Sequence, residues 1–479
     1  MDSKIYLYIT YLGTLSTAHP TRRMLFHMAS EKEDYGELAK ESGNIFRLGD
    51  SWGLGYIKAC RIISKIVPSR IFSDFLARTA HSFQAGEDTS DFLIKEQMVV
   101  MNHFDAEYRG SLYSIESLKN MYASLSTTLA FITCFGLLVP FITGQSFTKI
   151  LWAIILAFIF IDSFTLYMIL TTLPKDNLIH ELQIETKGMR QLKTNFKSLA
   201  VMSIILFVLA LFSNRLSMPY IMALSITPLG YFGYLVGREE NRIKHKEANF
   251  GPFMRTLGGA AGARSGQIRA VLGTIRYHEY GPLTKHIDSL YRRLQLGESM
   301  RAWQMFAGEI GSDLILKFSM IFREGLQIGA NPGEISMLIS TNFERVTALR
   351  GERQLTSSSM KGTLYGAGIG MALAIYVTIG IIQFLMEHVS DLTGIEQIMS
   401  GASSVSGINI QFVYLMVWIA LVIHSGLAAL TLKFTDGGDV RNALFHFCIM
   451  IWISALIAGV MPPLFTKMFG VNLSSTPMG

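Results

Sequence analysis

Seven long apolar runs, separated by polar stretches, decide what this 479-residue chain can fold into. They are Tyr122 to Thr143, Ile150 to Leu173, Leu199 to Phe212, Met218 to Val236, Thr363 to Met386, Phe412 to Leu432 and Ala443 to Phe465. A hydrocarbon core is crossed by about 20 helical residues, and inside it every backbone N–H and C=O must bond within its own segment. With half the residues apolar and a positive mean hydropathy, a single water-soluble core cannot absorb this pattern. The expected class is therefore all-α, a polytopic helical membrane protein with seven transmembrane helices. The third run is short and crosses only if Lys197 snorkels. With the fourth run, across Ser213-Asn214-Arg215-Leu216-Ser217, it has a re-entrant hairpin as its alternative.

Orientation follows from the basic residues, because Lys and Arg close to a span stay on the cytosolic side. With residues up to Met121 in the cytosol, the inward-facing regions hold 39 of the 42 Lys and Arg, leaving only Lys149, Arg215 and Lys467 outside. The stretch from Glu387 to Ile410 has no Lys or Arg and becomes the large extracytosolic loop. The expected organisation is a first cytosolic helical domain at 1–121 and four spans within 122–236 with a cytosolic loop at 174–197. A second, basic cytosolic helical domain follows at 237–361, then three spans within 362–479 around the extracytosolic loop at 387–410. The expected location is the cytoplasmic membrane, multi-pass, with the N-terminus in the cytosol. Lys4 followed by Ile5 to Leu12 could pass for a secretory signal, but the apolar stretch is short, has no small-x-small cleavage site and is followed by Arg22 and Arg23. An amphipathic surface helix is the expectation there.

The two cytosolic stretches look like copies of one helical-bundle unit. In the first, Pro68-Ser69 opens a segment with Ile71, Phe72, Phe75, Leu76 and Phe83 on one face, closed by Gly86 and followed by Glu87. In the second, Pro282 opens a segment with Leu283, Ile287, Leu290, Tyr291 and Leu294 on one face, closed by Gly297 and followed by Glu298. Both copies run on into a span entered from the inside. The second carries an insertion with the turn signal Gly329-Ala330-Asn331-Pro332-Gly333.

Motifs for chemistry are missing. No Gly-rich loop ends in Lys-Ser or Lys-Thr, no His-Glu-x-x-His occurs, and three scattered cysteines (Cys60, Cys134, Cys448) suggest neither a disulfide framework nor a thiolate metal site. ATP-driven or metal-dependent chemistry by the chain's own residues is not expected, so it reads as no enzyme, with no cofactor and no metal. His278 and His286, eight apart, read as exposed surface histidines.

Three sets of residues stand out as candidates. Asp162 and His424 fall near the centres of the second and sixth runs, where a charge costs about 2.5–3.5 kcal/mol and seeks a partner, so each can pair with the other. Gly362, Gly366 and Gly370 recur every four residues in the fifth run, a spacing that lets another helix approach closely. The 237–361 block holds 18 Lys and Arg against 12 Asp and Glu, much of the excess in Arg264, Arg269, Arg276, Arg292, Arg293 and Arg301. Anionic lipid, nucleic acid and an acidic protein surface compete for that charge. With no aromatic interleaving for base stacking, a protein partner is preferred over nucleic acid.

GPLTKHIDSLYRRLQLGESMRAW, FREGLQIGANPGE and FERVTALRGERQ, between Gly281 and Gln354, resemble the cytosolic domain of the type II secretion F family, the membrane platforms of type IV filament machines. SRIFSDFLARTAHSFQAGEDTSDFL and EYRGSLYSIESLKNMY resemble the family's first domain. The duplicated arrangement is most like the archaeal branch that serves the archaellum, the swimming filament. The resemblance implies as partners a hexameric secretion ATPase, pilin-like or archaellin subunits, the lipid bilayer and a second copy in a homodimer. It implies a mechanical role in which ATP-driven motions of the partner help lift subunits into a filament. The alternatives are a secondary transporter and a membrane-anchored scaffold without a motor partner.

Overall fold

Among the residues described, 2–143, 147–174, 176–180, 182, 184, 186–212, 216–263, 267–297, 299–389 and 410–470 of a computed structural model, the chain is helical throughout, without a strand. One isolated antiparallel bridge joins Ile179 to Ser312. Seven of these helices are long and apolar enough to cross a membrane: α6 (Thr89–Thr143), α7 (Phe147–Thr172), α8 (Lys187–Phe212), α9 (Met218–Gly262), α14 (Pro332–Val389), α15 (Ile410–Asp436) and α16 (Ala443–Gly470). Each carries one of the seven apolar runs. The short third run sits on a 26-residue helix, about 39 Å at 1.5 Å per residue, which is enough to cross. Phe135, Phe160, Ile204 and Leu209 are exposed, as side chains facing lipid would be. Most of the expected loop, residues 390–409, lies outside the described residues, as do Ser213, Asn214 and Arg215.

The chain divides into two compact units. The first gathers Met1–Ser111, Pro174–Arg190 and Glu239–Glu352, and the second Leu112–Leu173, Gln191–Arg238 and Arg353–Gly479. Both stretches expected in the cytosol thus contribute to one unit, together with the start of the loop at 174–197. In this first unit α1 (Asp2–Ser16) is followed by α2 (Arg22–Ser30), α3 (Glu37–Phe46), α4 (Tyr56–Ser64) and α5 (Arg70–Ala85). Further along the chain come α10 (Ile268–Ile275), α11 (Thr284–Gln295), α12 (Ser299–Ile310) and α13 (Asp313–Gln327).

The surface helix expected at the N-terminus is not what forms. Every residue of α1 from Ile5 to Ser16 whose side chain extends beyond a hydrogen is buried, and an apolar helix covered on all sides belongs in a core. Its polar groups are satisfied there: Thr10 Oγ1 donates to the Tyr6 carbonyl (2.6 Å), and Asn342 Nδ2 donates to Thr10 Oγ1 (2.9 Å). Its polar members, Thr10 and Thr14, gave no hint in the sequence that they would be covered too.

The two Pro-opened segments form the helices expected. α5 is capped by Ser69, whose side chain accepts from Phe72 N, and it buries Ile71, Phe72, Phe75, Leu76 and Phe83. Gly86 ends it in the left-handed region at φ +70°, which only glycine adopts without strain. α11 buries Ile287, Leu290 and Leu294, with Leu283 just before it. Glu298 lies outside the described residues.

In the second unit, α7 packs along α15, with α6 and α14 completing a core around Phe158, Ile375, Tyr376, Val417 and Leu421. α9 meets α16 through glycines: a Cβ added at Gly233 would stand 2.5 Å from the Phe445 backbone nitrogen, and one at Gly230 would stand 2.5 Å from Cys448 Sγ. Close backbone approach of this kind is how membrane helices gain contact where lipid leaves no hydrophobic drive.

Candidate docking face and intramembrane pair

Of the six arginines expected on a docking face, the structure describes five, Arg264 lying outside the described residues. Arg269 on α10 and Arg301 on α12 are exposed. Asp288 on α11 is shared: Arg276 Nη1 donates to Oδ1 (3.0 Å) and Arg292 Nη2 to Oδ2 (2.5 Å), the second pair spaced i,i+4. Arg276 also lies over the rings of Tyr277 and Tyr291, 4.7 and 4.4 Å from their centroids. Arg293 grips both oxygens of Glu309, Nη1 donating to Oε2 at 3.2 Å. Arg276, Arg292 and Arg293 are therefore partly neutralised within the chain, and Arg292 stays 74 % exposed despite its partner. Across the whole first unit 31 Lys and Arg stand against 29 Asp and Glu, so its overall charge is nearly balanced.

The same face carries apolar surface that the sequence did not flag. Leu296 is 83 % exposed, and with Arg293, Arg301, Ala302 and Met305 it lines a groove of about 290 Å³. An exposed aliphatic side chain beside Arg293 and Arg301 suits a docked protein. His278 is exposed as expected, but His286 is not: only 21 % of its side chain meets solvent, 4.0 Å from Glu309. Burial, with Lys246 and Arg293 nearby, lowers its pKa to about 4, against a weaker opposing pull from Glu309.

Sequence reading also missed the first unit's central ion cluster. Arg350 on α14 donates to both carboxylate oxygens of Asp176 (2.7 and 2.6 Å) and to Glu247 Oε1 on α9 (2.9 Å), with 14 % of its side chain exposed. Burial works against its charge, but Asp176 and Glu247 outweigh it and hold the guanidinium pKa above its usual value. Asp176 belongs to the segment between α7 and α8. The cluster thereby ties that segment to α9 and α14, beside the Ile179–Ser312 bridge and a bond from the His180 ring to the Gly308 carbonyl (3.0 Å). Three residues spread over 174 positions leave no local signal.

In the second unit the structure brings Asp162 and His424 together. Nδ1 of His424, on α15, lies 2.9 Å from Oδ2 of Asp162, on α7, and the side chains are 3 % and 4 % exposed. Tyr122 of α6, unnoticed in the sequence, donates its hydroxyl to the other oxygen, Oδ1, at 3.3 Å. Three helices thus meet at one carboxylate. Nε2 of His424 has no hydrogen-bond partner among the described residues and borders a cavity of about 10 Å³ lined by Tyr365, Gly368, Ser425 and Ser454.

Among the described residues Gly362, Gly366 and Gly370 make no helix contact: each is exposed, and a Cβ added at any of them would meet nothing within 4 Å. Among the glycines that do pack are Gly230, Gly233 and Gly237 on α9, whose three- and four-residue spacing was the available signal. Among the described residues no group of three His, Cys, Asp or Glu is placed to hold a metal ion.

Comparison with known proteins gives two relatives along nearly the whole chain. A protein of Methanocaldococcus jannaschii named flagella accessory protein J is 32 % identical over 484 residues, covering 99 % of this chain and 86 % of its own length. A protein of the same name from Methanococcus voltae is 31 % identical over 472 residues, covering 96 % of this chain and 84 % of its own. No protein-family model and no solved structure matches the chain.

Proposed function

The chain belongs to the family of the flagella accessory proteins J, and on that premise we propose that it is the membrane platform on which an archaellum is assembled. In this reading the first unit faces the cytosol and receives a hexameric secretion ATPase. The second unit lies in the cytoplasmic membrane and handles pilin-like or archaellin subunits, and the role is mechanical.

The observation that carries this reading is the face of α10 to α12. Arg293, Arg301 and the exposed Leu296 line a groove, with exposed Arg269 and Arg292 on the neighbouring helices α10 and α11, on a unit whose overall charge is nearly balanced. Such a face offers charge complementarity to an acidic partner together with a dry anchor. An N-terminus in the cytosol agrees with residues 1–111, 174–190 and 239–352 forming one compact unit, since these stretches are separated by pairs of spans and so lie on one side. The open glycine stripe at Gly362, Gly366 and Gly370 is where we place the second copy of a homodimer. A secondary transporter is disfavoured: α7 and α15 run unbroken through Asp162 and His424, and the cavity beside His424, about 10 Å³, holds no solute larger than a water.

Motion of the ATPase would reach the membrane through helices that contribute to both units, α6, α9 and α14 among them. The Tyr122–Asp162–His424 contact then joins α6 to α7 and α15, so the three respond together. Cells lacking the chain should keep filament subunits in the membrane yet carry no filaments. Filaments of normal number in such cells would end the proposal.

A further inference from the structure

The inner face of α4 buries Ala59, Cys60, Ile63 and Ser64. Its outer face runs on into the turn that follows and carries Lys58, Arg61, Ile62, Lys65 and Ile66 at i, i+3, i+4, i+7 and i+8, all exposed. Trp52 stands in the loop just before, 73 % exposed, whereas Trp303, the first unit's other tryptophan, is buried. That loop stands clear of its surroundings: Gly53 and Gly55 hold positive φ of +66° and +75°, and a Cβ added at either would meet nothing within 4 Å.

Packing does not require these apolar side chains on the outside. α10 precedes the other Pro-opened helix and buries Val271, Leu272 and Ile275 at the spacing of Ala59, Cys60 and Ile63, yet it exposes Arg269, Ala270 and Thr274. Trp52 and Ile66, the latter 69 % exposed, therefore call for a use outside the fold. The charge is equally one-sided. Between residues 51 and 73 the chain has Lys58, Arg61, Lys65 and Arg70 and no Asp or Glu. Arg61 Nη2 donates to a neutral acceptor, Gln84 Oε1, at 2.8 Å, and neither Lys58 nor Lys65 has a side-chain partner among the described residues.

A helix that lies in a lipid interface sinks an apolar face and keeps its charges on the opposite one. In α4 the opposite face is already buried, and the cations sit among the isoleucines. That interleaving suits a second helix, which can answer each side chain at the same i,i+4 spacing. We infer that the outer face of α4 docks an acidic amphipathic helix of a partner protein. Trp52, Ile62 and Ile66 are its apolar anchors, and Lys58, Arg61 and Lys65 meet the partner's carboxylates. The surface is separate from the arginine face of α10 to α12.

The test uses the full chain in phosphatidylcholine nanodiscs and three fluorescein-labelled helical peptides, read by anisotropy. The first combines a stripe of Leu with Glu, the second has Lys in place of Glu, and the third has Ser in place of Leu. The Leu and Glu peptide should bind saturably and about tenfold or more tightly than either of the others. Lys58→Glu with Lys65→Glu should cost it about tenfold, and more as salt is lowered. Trp52→Ser with Ile66→Ser should cost as much without that salt dependence. Equal binding of the three peptides by wild type, or unchanged affinity in either double variant, would overturn the assignment. Capture of phosphatidylglycerol vesicles that Trp52→Ser with Ile66→Ser abolishes, with no binding of the Leu and Glu peptide, would make the face a lipid site and overturn it as well. The wild-type comparison of the peptides decides even where a variant does not fold.

Discussion

Replacing His424 by Gln should destabilise the membrane unit far more than its size change suggests, because buried Asp162 would lose its closest partner. At 2.9 Å the two groups make a buried hydrogen bond whose gross strength is largely offset by the desolvation of both. The pair is thus worth little on balance, but breaking it from one side typically costs about 3–5 kcal/mol. Tyr122, at 3.3 Å, remains as a single neutral donor to Asp162. We expect roughly 3 kcal/mol for His424→Gln, a fall in melting temperature of about 6–12 °C for a unit of this size. Asp162→Asn, which removes the charge and keeps the shape, should cost less. The double variant should be no worse than His424→Gln alone, since Asn and Gln can bond without an uncompensated charge. The assay is thermal unfolding in nanodiscs followed by a thiol-reactive dye at buried Cys448, with Cys60 and Cys134 replaced by alanine. Losses that simply add in the double variant would refute a coupled pair.

Arg350→Met leaves Asp176 and Glu247 as buried charges without their cation and should cost about 3–5 kcal/mol, with faster hydrogen exchange at 176–180 as the first sign. Gly233→Leu should prevent α9 from seating on α16 and cost more than the roughly 1–3 kcal/mol of ordinary overpacking, because backbone is struck. Gly366→Leu should leave the melting temperature of the monomer unchanged and weaken only association of copies. His286, with a folded pKa of about 4 against an ordinary 6.5, is neutral when folded and protonates on unfolding. Its contribution is therefore present above pH 6.5 and lost as the pH falls toward 4, roughly 2 kcal/mol by pH 5. A His286→Gln variant compared with wild type at pH 7 and pH 5 should lack that drop.

Span number and helical class were legible because the bilayer forces a run length on the sequence, whatever the helices pack against. α5 and α11 were legible for a related reason: cap, apolar face and closing glycine are all local. Asp162 and His424 stood out because each is an isolated ionisable group in an apolar run, and that same isolation made a partner across helices expected. Tyr122 did not stand out, since an aromatic at a span boundary has a commoner explanation at the membrane interface. The Arg350 cluster and the buried α1 depend on segments that meet only in three dimensions. The glycines teach the same lesson from the other side: one four-residue stripe lies open, and a set spaced three and four apart on α9 makes the contact. Spacing shows that a close approach is possible, while the partner's position decides whether it happens.

The docking of the ATPase is the claim on which the platform reading turns. Arg269, Arg292 and Arg301 can be reversed to Glu together without breaking the Arg293–Glu309 pair, and the full chain in nanodiscs is the right binding partner because the first unit draws on three separate stretches of sequence. The affinity of the purified hexameric ATPase should fall about tenfold or more in the triple variant, with the gap widening as salt is lowered and the Debye length grows beyond about 8 Å. Equal affinity for wild type and variant at low salt, with folding intact in both, would contradict the account.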